Sequence, residues 1–540
     1  MRKNTRILLL ASAATMFSLA SATPSRAASC EDLLQLKLSG TVIKSAEQVP
    51  AGMFTGPDKL KQADLPAFCR VVASVKQAPD SDIGVEIWLP SGPWNGVFHG
   101  NGNGGFGGSL NAGYPGMEEG LRRGYATATT DTGTAPATVL NGDPLVGHPQ
   151  KWKDWGLLST HVMTVTGKAI AKAFYGEGAT HSYYTGCSTG GQQGLIEAQY
   201  YPGDYDGILV GAPVINRTWG HAAVLWDFLS ANRGPGRTLS DAKLTLLHNS
   251  VLSACAAKGN GLASDPFVSD PMVCKFDPAA LTCKSGDSDT CLTPGEVQTA
   301  KDFYSGPVSH TGKPLYYGWL PGSEGPDRAG WSFLEAPFNG EAAFDGLFKW
   351  VFGADWDWRK FDFERDMPKV DAALGPSVNG AMRGDVSQFR ARGGKLVLFQ
   401  GLADTLVAPG QTLDFYNGLG RKFGAAKTQD FARLFLAPGM MHCGGGPGPS
   451  AFNSANGGQR KPPSNTARDD MFTAMTHWVE GGVAPTQIIA TKYVDDTPAK
   501  GIALQRPLCA YPEKAWYKGP GDTHEAGSFM CAMERPRSRK

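Results

Sequence analysis

The stretch Ser182-Tyr-Tyr-Thr-Gly-Cys-Ser-Thr-Gly-Gly191 is the part of the sequence that decides the fold. Its centre, Gly186-Cys187-Ser188-Thr189-Gly190, matches G-x-S-x-G, a pattern in which a serine occupies a tight turn between a strand and a helix. The residues before it, 181–185, predict a short strand, and 191–201 predict a helix. A five-residue pattern often occurs by chance, so its meaning depends on this setting. The setting favours Ser188 as a nucleophile exposed beyond the end of a buried strand.

Short β-rich runs alternate with helix-like segments in the first and last thirds of the chain. Such alternation is typical of a mostly parallel sheet with helices on both faces. From about 214 to 383 the alternation stops, and the chain becomes rich in cysteine, tryptophan, proline and glycine. We therefore expect an α/β fold whose catalytic domain comprises residues 28–213 and 384–540, with a large inserted lid domain at 214–383.

A serine hydroxyl is a weak nucleophile without a base, so this interpretation requires a histidine and an acid later in the chain. Asp404 follows a predicted strand that ends at Phe399, and His442 follows one that ends at Leu436. The order serine, acid, histidine, with the last two after successive late strands, is typical of the α/β-hydrolase fold. Alone, a loop aspartate is usually a cap and a loop histidine a surface residue. In this order and at these strand ends they predict a catalytic triad with Ser188.

A glycine-rich loop, residues 100–108, follows an early predicted strand. Acyl transfer needs two backbone N–H donors for the oxyanion, normally from the residue after the nucleophile and from such a loop. Thr189 and Gly105 are the predicted donors. The loop also matches the dinucleotide pattern G-x-G-x-x-G, but Pro115 interrupts the following segment, so no clean helix starts at the last glycine.

The ten cysteines are an even number, which in an exported chain predicts five disulfides whose pairing the spacing alone leaves open. Zinc is the alternative, but the chain has no CxxC, HxH or HExxH motif. Cys187 precedes the nucleophile and Cys443 follows the predicted base, so these two should lie within disulfide distance if the triad forms. The alternatives are two buried free thiols, or pairing with other cysteines.

The first 27 residues have the pattern of a secretory signal peptide. Arg2 and Lys3 precede an apolar run, and small residues ending at Ala27 follow it. An uncleaved membrane anchor is the alternative, but Ser12 and Ser18 interrupt an already short apolar run. We expect an exported protein, periplasmic or secreted, without attachment to a membrane.

Lys plus Arg, 51, almost balances Asp plus Glu, 50, and no basic block occurs, which argues against nucleic-acid binding. The sequence leaves the oligomeric state open.

With these motifs, the chain resembles the tannase and feruloyl esterase family, which includes bacterial mono(2-hydroxyethyl) terephthalate hydrolases. The resemblance rests on Gly-Cys-Ser-x-Gly-Gly at 186–191, on 391–398 leading to the acid, on Pro-Gly-Met-Met-His-Cys at 438–443, and on Arg-Pro-Leu-Cys at 506–509. It implies a serine esterase that cleaves small esters of aromatic acids, such as feruloyl, galloyl or terephthalate monoesters. It also implies five disulfides: Cys187–Cys443, Cys30–Cys69, Cys255–Cys274, Cys283–Cys291 and Cys509–Cys531.

The family often carries a calcium ion in a lid loop just after the cysteine that corresponds to Cys255. Calcium needs several oxygen ligands, and here only Asp265 remains as a plausible one, while Asp287 and Asp289 could substitute but are typical turn residues. We expect calcium binding to be lost or weak, no required cofactor and no metal site.

The lid should supply the substrate pocket, with Phe348, Trp350 and Phe352 as candidate contacts. The alternatives to this function are a non-catalytic α/β-hydrolase-like binding protein and an esterase of non-aromatic esters.

Overall fold

A nine-stranded, mostly parallel sheet forms the centre of the protein. The structure is a computed structural model that describes residues 28–56, 61–326 and 330–535. The signal peptide expected at 1–27 lies outside these residues. The described strands are β1 (Thr41–Val49), β2 (Gly52–Thr55), β3 (Lys61–Leu65), β4 (Phe68–Val75), β5 (Ile83–Pro90), β6 (Val97–Asn101), β7 (Ala126–Thr130), β8 (His181–Cys187), β9 (Gly207–Gly211), β10 (Lys395–Gly401), β11 (Ala432–Ala437), β12 (Gln487–Tyr493), β13 (Ile502–Cys509), β14 (Lys514–Tyr517) and β15 (Phe529–Ala532).

The strand order in the sheet is β1-β4-β5-β7-β6-β8-β9-β10-β11. The strands from β7 to β11 in this order pair in parallel, whereas β1, β4 and β5 form an antiparallel extension that joins β7. The prediction of a mostly parallel sheet is confirmed. Because β8, β9, β10 and β11 are parallel neighbours, the loops that follow them open at the same edge of the sheet.

Helices cover both faces of this sheet. The described helices are α1 (Tyr114–Arg122), α2 (Pro149–Lys153), α3 (Ser159–Tyr175), α4 (Thr189–Tyr200), α5 (Arg217–Asn232), α6 (Asp241–Ala257), α7 (Pro294–Ser305), α8 (Trp331–Glu335), α9 (Gly346–Phe352), α10 (Phe363–Val378), α11 (Ser387–Ala391), α12 (Pro409–Phe423), α13 (Ala425–Gln429) and α14 (Met471–Gly481). One apolar core lies between the sheet and α3, α4 and α12, and a second lies between the other face and α14 with β12 and β13. This arrangement buries apolar side chains on both sides of each central strand, as a parallel sheet requires.

Between β9 and β10 the described chain adds no strand to the main sheet and instead forms the helices α5 to α11. Two further apolar cores lie here, and one of them includes Phe106 of the glycine-rich loop and Trp155. The inserted segment therefore packs directly on the loop that follows β6. The domain boundaries at 213/214 and 383/384 stay a prediction. In the part of the chain that is described, no helix combines the length and the apolar character needed to cross a bilayer.

Candidate active site

Ser188 lies at a sharp turn between β8 and α4. Its backbone has φ 63° and ψ −120°, a left-handed conformation that costs a non-glycine residue energy and is typical of a nucleophile turn. Glycine is needed on both sides of it. A Cβ on Gly186 would come within 2.7 Å of the backbone of Gly190, and one on Gly191 would come within 2.5 Å of the carbonyl oxygen of Gly211. The helix starts at Thr189, two residues earlier than the sequence pattern predicts, so the N-terminus of the helix directly follows the serine.

The predicted acid and base are in contact. Nδ1 of His442 lies 3.1 Å from Oδ1 and 3.0 Å from Oδ2 of Asp404, which is completely buried. The backbone N–H groups of Leu406 and Val407 donate to Oδ1, each at 2.9 Å, and the side chain of Gln400 donates to Oδ2 at 3.1 Å. These donors hold the carboxylate in one orientation. With Nδ1 oriented by the carboxylate, Nε2 of the imidazole is the nitrogen that can accept a proton from a nucleophile.

A disulfide joins the serine turn to the histidine loop. Cys187 and Cys443 are bonded with their Cα atoms 5.9 Å apart, although 256 positions separate them in sequence. Asn456 donates a hydrogen bond of 2.9 Å to the carbonyl oxygen of Cys443 and so also supports the histidine loop. The Cys187–Cys443 disulfide ties the residue before Ser188 to the residue after His442. The other four pairs that the family resemblance implies are also present, with no free cysteine in the described chain.

The glycine-rich loop packs against the start of α4. The hydroxyl of Thr189 donates to the carbonyl oxygen of Gly105 at 2.8 Å, and Nε1 of Trp155 donates to the same oxygen at 3.1 Å. Gly105 has φ 52°, and a Cβ there would lie 1.9 Å from the carbonyl oxygen of Val139. Within the described residues, the N–H groups of Thr189, Gly105 and the neighbouring Gly104 have no protein acceptor. These donors are available to an oxyanion, and Gly105 as the second donor stays a prediction.

Comparison with known proteins identifies the family. A sequence profile described as tannase and feruloyl esterase matches residues 69–532. The chain belongs to this family. It is 38% identical to an uncharacterized esterase of Xanthomonas campestris over 95% of this chain and 93% of that protein. It is 33% identical to the mono(2-hydroxyethyl) terephthalate hydrolase of Piscinibacter sakaiensis over 90% of this chain and 88% of that protein.

Solved structures agree with this assignment. The crystal structure of feruloyl esterase B from Aspergillus oryzae has a TM-score of 0.83 at 29% identity, covering 93% of this chain and 99% of that chain. The fold is that of the tannase and feruloyl esterase family, an α/β-hydrolase. As a member of this family, the protein is a carboxylic ester hydrolase.

Two of the three aromatic residues that were expected to contact substrate are buried by packing. Phe348 is completely buried beside Trp356, and Trp350 is 6% exposed, stacks on Trp152 and donates to the carbonyl oxygen of Gly142 at 2.8 Å. Phe352 is half-buried next to Trp356. Because packing accounts for Phe348 and Trp350, their role as substrate contacts is not supported by exposure.

Phe344 is one of the aromatic residues of the inserted segment that could stack on an aromatic acyl group. It is half-buried, has φ 64° and contacts Phe106 of the glycine-rich loop with ring centroids 6.2 Å apart. Its backbone carbonyl is 3.1 Å from Nδ1 of the buried His221. A left-handed phenylalanine is rare, and only the structure shows that Phe344 adopts this conformation beside the glycine-rich loop.

Three carboxylates in the segment between Cys255 and Cys291 are paired with cations. Asp265 contacts Arg506 at 2.6 Å, Asp270 contacts Lys514 at 2.5 Å, and Asp287 contacts Lys243 at 2.5 Å. A calcium ion needs a cage of six to eight oxygen ligands, and these carboxylates point to ammonium or guanidinium groups instead. These three carboxylates therefore do not form such a cage.

Arg217 is a site residue that sequence reasoning missed. It opens α5 directly after the loop that follows β9, is 3% exposed, and donates to the hydroxyl oxygen of Thr189 at 3.0 Å. Burial lowers the pKa of its guanidinium to about 9, and burial together with the charge of Arg217 lowers the pKa of His221 to about 3. The signal in the sequence was an arginine at the start of an otherwise apolar helix.

Proposed function

We propose that the protein is an exported serine esterase that cleaves esters of aromatic acids through an acyl-enzyme intermediate. The observation that carries this proposal is the contact between His442 and the buried Asp404, in a loop that a disulfide fastens beside Ser188. Ser188 attacks the ester carbonyl while His442 accepts its proton, and His442 then returns that proton to the leaving alcohol. Asp404 orients the imidazole throughout. Water then attacks the acyl-enzyme with the same histidine as base.

Stabilisation of the tetrahedral intermediates is assigned to backbone donors. The N–H groups of Thr189 and Gly105 are proposed to bind the oxyanion, because neither has a protein acceptor in the described chain. Thr189 begins α4 and Gly105 lies in the glycine-rich loop, and these two segments pack against each other. The reaction as proposed uses only groups of the chain, so no metal or cofactor is required. Incubation with EDTA should leave the rate and the melting temperature unchanged.

The aromatic acyl group is proposed from the relatives. The similar proteins include feruloyl esterases and a mono(2-hydroxyethyl) terephthalate hydrolase. Each of these names refers to an enzyme that acts on an ester of an aromatic acid. Activity against methyl ferulate, methyl gallate, mono(2-hydroxyethyl) terephthalate and 4-nitrophenyl butyrate, compared side by side, tests the assignment. The assignment is supported if kcat/KM for at least one aromatic-acid ester is ten or more times the kcat/KM for 4-nitrophenyl butyrate. A preference for the butyrate would favour an esterase of non-aromatic esters.

Ser188→Ala is the test of the serine mechanism. The variant should lose turnover of the best ester by about 10⁴-fold or more, because a serine nucleophile has no substitute in this reaction. A fluorophosphonate probe should label the wild type and not the variant, and the melting temperature should stay the same. A folded wild type that neither turns over these esters nor reacts with the probe would indicate a non-catalytic binding protein.

A further inference from the structure

The guanidinium of Arg217 lies behind the start of α4. Nε donates to Oε1 of Gln192 at 2.7 Å, Nη2 contacts the same oxygen, and Nη2 also donates to Oγ1 of Thr189 at 3.0 Å. The guanidinium carbon lies 4.7 Å from the ring centroid of Trp155. Gln192 is itself held by a 2.6 Å hydrogen bond to the carbonyl oxygen of Val378. The side chain is therefore fixed from three directions.

Arg217 has no carboxylate partner among the described residues, although it is almost fully buried. The titratable groups that influence it are His221 on its own helix and Tyr316 from the lid, while Asp371 of α10 binds Thr218 and Trp219 instead. Burial lowers the pKa of His221 to about 3 and raises that of Tyr316, so both are neutral near pH 7. A buried cation without an anion is costly, and buried charges in natural proteins are usually paired.

The contacts of Arg217 connect both proposed oxyanion donors. Oγ1 of Thr189 accepts from Arg217 and donates to the carbonyl oxygen of Gly105, which also accepts from Trp155. One hydroxyl thus joins the cation, the residue after the nucleophile and the glycine-rich loop. The net positive charge lies next to the residue whose N–H would meet the negative charge that develops during the reaction.

We propose that Arg217 is a positioning residue that fixes Thr189 and Gly105 relative to each other and favours the oxyanion with an uncompensated buried charge. This inference rests on the proposed serine mechanism. Removal of a direct oxyanion donor costs about 10²–10³-fold in kcat, and a group that acts through such a donor should cost less. We expect a loss of about 10–100-fold in kcat for Arg217→Met, with KM changed by less than about threefold because the residue does not touch substrate.

Three variants separate the charge from the hydrogen bond. Arg217→Met removes both, Arg217→Gln keeps a donor without the charge, and Arg217→Lys keeps the charge without the planar fork. The charge contribution predicts the order of kcat as wild type, then Lys, then Gln, then Met. Arg123→Met is the matched control, because Arg123 is also largely buried and lies over an aromatic ring, but it is paired with Asp470 and Glu119 away from Thr189. It should lower the melting temperature and leave kcat within twofold.

An aryl trifluoromethyl ketone gives a readout that a purely structural role would not change. Such ketones form a hemiketal oxyanion with a catalytic serine, so their affinity reports on the oxyanion site. Arg217→Met should weaken this inhibitor by about the same factor as kcat, while the inhibition constant of the product acid stays within twofold. If Arg217→Met does not fold, the comparison of the Lys and Gln variants carries the same test.

The outcomes distinguish this inference from the proposed function. If Ser188→Ala retains turnover, the serine mechanism fails and Arg217 has no oxyanion to favour. If Ser188→Ala is inactive but Arg217→Met keeps kcat and ketone affinity within twofold, only the role of Arg217 is wrong. A change confined to melting temperature, or a rise in KM with constant kcat, would also overturn it.

Discussion

Gly105 shows how much a single residue controls in this site. Its φ of 52° is unfavourable for any residue with a Cβ, and that atom would lie 1.9 Å from the carbonyl oxygen of Val139. We expect Gly105→Ala to lower the free energy of unfolding by about 2 kcal/mol or more and to reduce kcat, since the loop must shift to relieve the clash with Val139.

Gly104 provides the matched control for this substitution. A Cβ on Gly104 meets no heavy atom within 4 Å, and its backbone is not among the left-handed glycines. Gly104→Ala should therefore keep the melting temperature of the wild type. Thermal unfolding of both variants checks the prediction, which equal losses of stability would contradict.

At the scale of the elements, the bond between Cys187 and Cys443 joins the turn after β8 to the loop after β11. Replacing both cysteines by serine should cost about 2 to 5 kcal/mol, because the closed loop is long, and should lower kcat as the histidine loop loosens. The pair Cys283–Cys291 closes a loop of only 8 positions in the lid and is the control. Its removal should cost less stability and leave kcat unchanged. Melting curves and kcat of both double variants test this, and a larger effect from the lid pair would refute it.

Glu335, at the end of α8, gives the lid a dependence on pH. Burial, with smaller effects from nearby acidic groups, raises its pKa to about 8, although the N–H of Leu239 donates to Oε2 at 2.9 Å. A carboxyl whose folded pKa is raised binds its proton more tightly in the folded state. Its contribution to stability is therefore present at low pH and is lost between about pH 4.5 and pH 8.

Glu335→Gln removes this dependence while it keeps an acceptor for Leu239. Between pH 5 and pH 9 the wild type should lose on the order of 2–4 kcal/mol more stability than this variant. Denaturant unfolding at both pH values measures the difference, and Glu525→Gln, at an exposed position, is the control. Parallel curves for wild type and Glu335→Gln would show that the buried carboxyl does not titrate as expected.

At the scale of the whole molecule, five disulfides stabilise the chain, and this agrees with export to an oxidising compartment. We expect the full chain, expressed in a Gram-negative host, to reach the periplasm and to begin at Ala28. N-terminal sequencing and a thiol titration of the purified protein test this. The comparison is a shortened chain without the first 27 residues, expressed in the cytoplasm. Unprocessed protein with free thiols would contradict export.

Much of the catalytic framework could be predicted from the sequence because it depends on local patterns. Alternating apolar runs mark β8, β10 and β11, and the residues after them must meet at one edge of a parallel sheet. This reasoning led to Ser188, Asp404 and His442, and the structure brings the last two into contact. It missed the N-terminal strands β1 and β4 and began α4 two residues too late, since glycines weaken the helical pattern there.

The sequence by itself therefore determined the family, the fold class and the order of the candidate triad, all of which depend on residues close together in the chain or at strand ends. Only the tertiary structure decided that Phe348 and Trp350 are buried by packing, that Asp265 pairs with Arg506, and that Arg217 joins Thr189. The physical reason is that backbone pattern is set by near neighbours, whereas the partner of a buried charge or ring is set by packing between segments that can be hundreds of positions apart, 241 for Asp265 and Arg506 and 347 for Arg123 and Asp470.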